Sequence, residues 1–156
     1  ESFPALEAIA QDPSRTELVM VSSGLLKQEL AKLPDPARDF TYITYPYRLP
    51  QEEGPYADLA KTWLTSRKAP VNDRRISTRT YSLMMLLTTT FMHMRGNHYR
   101  DNFLDVISMY QDLYLPDFER LSFGPGQRYA SKGCYIVQLT RGAKPVMVRK
   151  SDWVIH

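Results

Sequence analysis

Residues 121–139 read LSFGPGQRYASKGCYIVQL and set a Gly124-Pro125-Gly126 turn between two strand-like runs. Two long helical patterns precede them. A polar hinge that runs into Lys132-Gly133-Cys134-Tyr135-Ile136-Val137 is the pattern of a chain leaving a helical layer and re-entering a sheet. The turn is architecture rather than chemistry, because it lacks both GxxxxGK[ST] and GxGxxG spacing and so does not make a phosphate loop.

Upstream the pattern is α/β. Glu17 to Val21, apolar from Leu18 on, is expected as a strand covered on both faces, and it leads into Ser22-Ser23-Gly24 and a helix from Leu25 to Leu33. Pro34 and Pro36 stop that helix. Phe40 to Tyr45 is aromatic and β-branched and ends at Pro46, which predicts the next strand. Gly54-Pro55 then opens a helix with Leu59, Ala60, Trp63 and Leu64 inward. Strand, helix, strand, helix is the rhythm of a parallel sheet with flanking helices.

Two further helices follow. The first, Ser77 to Arg95, carries Leu83, Leu86, Leu87, Phe91 and Met94 on one face and Met84, Met85 and Met92 on the other, so it is expected to be covered nearly all round. Gly96 can end it in the left-handed conformation, and Asn97 can cap the second helix. Ser2 can cap a short opening helix. Val146 to Val148 and Trp153 to Ile155 predict closing strands.

Composition narrows the class. The 156 residues hold 20 Lys and Arg against 17 Asp and Glu, a net charge of +3. This small excess is not the clustered footprint of a nucleic-acid binder. The lone Cys134 allows no internal disulfide, and within a strand with no nearby histidine it reads as a structural thiol. His93 and His98 are five apart across Gly96, out of zinc-helix register, and with His156 they make no metal site. No cofactor is called for, and no catalytic constellation is visible. No run of about 18 apolar residues is present. The chain begins at Glu1 rather than Met, which points to a processed or truncated product.

The order VMVSSGLL, TYITYPYRLP, RTYSLMMLLTTTFMHMRGNHYRDNFLD, LSFGPGQRYASKGCYIVQL and SDWVI resembles the carboxy-terminal portion of a type I periplasmic ligand-binding protein, the solute receptor of amino-acid and amide ABC transporters. The resemblance implies a non-enzymatic, periplasmic, α/β protein containing parts of both lobes. Residues 1–76 and 127–156 would belong to the second lobe, and the helical crossover 77–126 to the first. It further implies a small polar ligand in an interlobe cleft and a membrane permease as partner. An alternative of another class is a sensory or protein-interaction module with the same fold, which an exposed apolar face would favour.

Ligands of open α/β sheets lie beyond the carboxyl ends of strands. The candidate contacts are therefore Ser22 and Ser23 after the first strand, and Tyr45, Tyr47 and Arg48 after the second. Tyr81, early in the long helix, is a further candidate. The plain alternatives are a helix cap for the serines and an exposed turn for the Tyr-Arg group. Arg74, Arg75 and Arg79 read as a solvated basic face. The methionine-rich helix is expected to take its missing cover from the first-lobe sheet in a full receptor, or from a second copy in this chain, giving a homodimer through its 77–95 face.

Overall fold

The computed structural model describes residues 3–12, 18–52, 54–70, 73–127 and 129–155. The Ser2 cap, the Glu17 strand start and His156 lie outside them. The chain divides into two compact units, one made of Glu1–Tyr45 with Gly133–His156 and the other of Pro46–Lys132.

The discontinuous unit is a mixed α/β layer. Helix α1 (Phe3–Gln11) precedes strand β1 (Val19–Ser22), and α2 (Ser23–Leu26) continues as a 3₁₀ turn over Lys27–Lys32. A one-turn helix, α3 (Asp35–Arg38), follows where the sequence suggested only a stop. Pro36 sits in its first turn, where a fixed φ and a missing N–H cost nothing. Strand β2 (Thr41–Tyr45) then pairs parallel with β1, with Ser22 opposite Thr44. That adjacency and direction are as the apolar alternation predicts.

The sheet is not parallel throughout. Strand β3 (Gly133–Leu139) runs antiparallel to β2 with Ile43 opposite Val137. Strands β4 (Met147–Arg149) and β5 (Val154–Ile155) both pair antiparallel with β3. The short connections after Leu139 allow only hairpin-like returns, since a parallel return needs a long crossover. β1 is an edge strand with one open face, and Met20 is 53% exposed there. Its continuous apolar run therefore does not mean cover on both sides.

Strand β3 alternates buried and half-buried side chains along its length. Ile43 and Val137, fully buried and face to face, are at the centre of this unit's core with Leu33, Ala37 and Leu139. The buried Arg38 joins the two separated chain segments. Its Nε donates to the Leu33 carbonyl at 2.7 Å, and its Nη1 to the carbonyls of Thr140 and Gly142 at 3.1 and 2.9 Å.

The second unit is helical. It holds α4 (Gly54–Ser66), α5 (Arg74–His93) and α6 (Arg100–Ser108), followed by a looped segment. α4 belongs to the helical unit, where Trp63 packs on Tyr81 of α5 with ring centroids 5.7 Å apart. Asp73 caps α5 by accepting from the Ile76 N–H at 3.0 Å. Gly96, at φ +88°, turns the chain beyond it, as expected. Tyr99 rather than Asn97 occupies the position before α6, and no side chain caps that helix.

Leu86, Leu115 and Leu121 form this unit's core with Ile107, Tyr110, Leu113, Phe118 and Phe123 packed against them. The Gly124-Pro125-Gly126 turn closes through Gln127 N–H donating to the Gly124 carbonyl at 3.0 Å. Gly126 has φ +70°, which the position after proline in a type II turn requires.

Helix α5 departs most from its expected packing. Its buried stripe is Thr78, Ser82, Leu86 and Thr90, spaced four apart, whereas Leu83, Leu87 and Phe91 are exposed along with Met84, Met85 and Met92. The three hydroxyls bury without penalty because each donates to the carbonyl four residues back, at 2.8, 2.9 and 2.8 Å. Small side chains there permit close approach, and the large ones point outward.

Candidate functional site

The candidate residues fall into three places. Ser22, Ser23 and Tyr45 belong to the sheet unit, at the carboxyl ends of its two parallel strands. Ser22 ends β1 and its Oγ accepts from the Gly24 N–H at 3.2 Å, so this hydroxyl serves the turn into α2. Ser23 and Tyr45 are half-buried beside it in sequence and register. Tyr45 lies opposite Tyr135 of β3.

Tyr47 and Arg48 belong to the helical unit and enter a charged cluster there. Arg48 is 8% exposed, and its Nη1 sits 3.1 Å from Oε2 of Glu119. Its backbone N–H donates to the Asp117 carbonyl at 3.1 Å. The Tyr47 ring packs on Phe118, centroids 5.9 Å apart, while the Arg79 guanidinium lies 3.9 Å above it. Arg79 Nε also donates to Asp117 Oδ2 at 2.6 Å. The Asp117 N–H donates to Ser82 Oγ at 3.3 Å, which fixes the loop against α5.

Electrostatics in this cluster are set by burial. Asp117 is only 2% exposed, and desolvation pushes its carboxyl above the ordinary carboxylate value, with Arg79 opposing the rise. The Asp117 carboxylate holds the Arg79 guanidinium, which also lies over the Tyr47 ring. Arg79 is therefore paired rather than part of a solvated basic face.

Tyr81 is not drawn into the cluster. It is two residues from Arg79 on the same helix, hence on a different side, where it packs on Trp63. His93 is engaged by the Tyr110 hydroxyl, 2.8 Å from its Nδ1. Cys134 is half-buried in β3, and burial pushes its thiol up.

Asp117 and Glu119 were missed by the sequence reading. Their signal is local: two acids flank Phe118 just after Pro116, in a turn that Phe118 N–H closes by donating to the Leu115 carbonyl at 3.2 Å. What the sequence does not disclose is which arginine each meets, since Arg79 is 38 residues from its partner.

Among the described residues, hollows also lie elsewhere, and two of them are the following. A groove of about 240 Å³ beside α4 and α5 is lined by Asp58, Lys61, Leu64, Arg74 and Ser77 among others. A shallower one of about 350 Å³ in the sheet unit is lined by Asp39, Gln138, Arg141 and Lys150 among others. Neither includes a candidate residue. Among the described residues, no helix is long and apolar enough to cross a membrane. Compared with protein-family models, curated proteins and solved structures, the chain matches none.

Proposed function

We propose that this chain is the carboxy-terminal part of a periplasmic solute receptor of type I, which binds a small polar organic molecule, an amino acid or amide, and presents it to the permease of an ABC transporter. The reading is non-enzymatic. The observation that carries it is the path of the chain, which leaves a sheet unit after Tyr45 and rejoins it at Gly133. Repeated crossing between units is how the lobes of such receptors are built. The parallel β1–β2 pair adds support, because Ser22, Ser23 and Tyr45 stand where open α/β sheets receive ligands.

In this reading Ser23 and Tyr45 touch the ligand, and Ser22 does so by exchanging its bond to Gly24. Tyr47 and Arg48 hold the strand exit through Phe118 and Glu119 rather than meeting the ligand directly. Closure follows from ligand contacts that favour the closed state over the open one.

The test is calorimetric titration of the chain with a panel of proteinogenic amino acids and their amides. Saturable binding by one member, weakened about tenfold in Tyr45→Ala, a loss of about 1.4 kcal/mol, is expected. Heats indistinguishable from dilution for the whole panel contradict the reading. A second reading, a protein-interaction module, is favoured by the exposed Leu and Met side chains of α5.

A further inference from the structure

The outward flank of α5 is apolar beyond what a solvated helix carries. Ile76, Leu83, Met84, Leu87 and Phe91 are 62, 52, 43, 38 and 49% exposed. At 100° per residue all five fall within an arc of about 100°. Ile76, Thr80, Leu83 and Leu87 follow one another at steps of four, three and four, the spacing of a helix–helix seam. The Phe91 ring meets Phe103 of α6 at 5.8 Å, so the arc runs onto the neighbouring helix, where Leu104 is 44% exposed.

We propose that this flank is a self-association surface on which a second copy of the chain packs its own α5 antiparallel, about a two-fold axis near Leu83 and Met84. The area fits such an occupant. The five side chains hold on the order of 400–500 Å² of apolar surface, the size of the largest patch of a monomer, which is often functional. Two such flanks face to face bury about 1,000 Å² with their rims, the threshold of a specific interface.

Charge selects the antiparallel arrangement. α5 contains no acidic residue, and Arg74 and Arg75 are exposed at its start. A parallel pair would set these arginines against their counterparts. The antiparallel pair keeps them apart and sends them towards the end of the partner's helix where the dipole is negative. A two-fold axis makes the match reciprocal, which a self-complementary surface requires. The second copy takes the face that a first-lobe sheet would cover in a full receptor, and the test below does not depend on solute binding.

Sedimentation velocity on the chain from about 1 to 100 µM is the test. A monomer–dimer equilibrium in that range is expected, with Leu83→Asp and Leu87→Asp each shifting the dissociation constant at least about tenfold towards monomer. Circular dichroism checks that these variants stay folded. Thr80→Arg, at an exposed polar position, reads the same surface if they do not. A monomer at every concentration, a dimer indifferent to Thr80→Arg and Leu83→Asp, or open-ended aggregation would overturn the proposal.

Discussion

Arg79 Nε lies 2.6 Å from Oδ2 of Asp117, and this pair closes the helical unit by tying α5 to the loop after Pro116. The two partners are unequal. The Arg79 side chain is 31% exposed while that of Asp117 is 3% exposed. Removing the arginine strands a buried carboxylate, whereas removing the charge on the aspartate leaves a guanidinium that water can reach. Arg79→Leu should therefore cost about 2 kcal/mol and Asp117→Asn less, by urea unfolding. The opposite order would contradict this account.

The same aspartate gives a pH dependence. Its carboxyl is raised in the folded state, chiefly by burial, so the folded chain holds this proton more tightly than the unfolded one. The stability this confers is fully present below the unfolded carboxylate value, about pH 4, and is lost as pH rises through the raised folded value. The stability of the wild type relative to Asp117→Asn should fall as pH rises from about 4 and then level off. A difference that grows with pH would show a depressed carboxylate instead.

Core and edge of the sheet unit should respond differently. Ile43 is fully buried against Val137, and Ile43→Ala should cost about 2–5 kcal/mol. Met20 is 53% exposed on the edge strand, and Met20→Ala should stay within about 0.5 kcal/mol. Thermal unfolding of both variants checks this. Similar losses would mean that β1 is covered on both faces.

Gly133 is required by close approach. A Cβ there would stand 2.4 Å from Nε1 of Trp153 and 2.4 Å from the Val154 carbonyl. Gly133→Ala should cost about 1–3 kcal/mol and loosen the Tyr135–Trp153 edge contact. Near-ultraviolet circular dichroism with denaturant titration reads both, and unchanged stability would refute the packing at β5.

Strands were more legible than helix faces. The alternation of Gly133 to Leu139 and the β-branched Phe40 to Tyr45 run fixed two strands, because side chains alternating across a pleat leave little choice of buried face. The antiparallel direction of β3 was not legible, since it depends on where the chain re-enters. α5 failed for another reason. With apolar residues nearly all round, its sequence does not say which arc is buried, and the structure chose the Thr78-Ser82-Thr90 stripe whose hydroxyls bond within the helix. Ser22, Ser23 and Tyr45 stand at strand ends because β1 and β2 pair parallel. Tyr47 and Arg48 meet Phe118 and Glu119, partners too distant in sequence to be read from it.

Solute binding at the strand ends is tested most directly by backbone amide shifts in a two-dimensional ¹H–¹⁵N spectrum, recorded as the chain is titrated with the amino acid or amide panel. The account predicts saturable shifts concentrated at residues 22–26 and 44–48. Absence of saturable shifts with every member, or shifts confined to the groove beside α4 and α5, would contradict it.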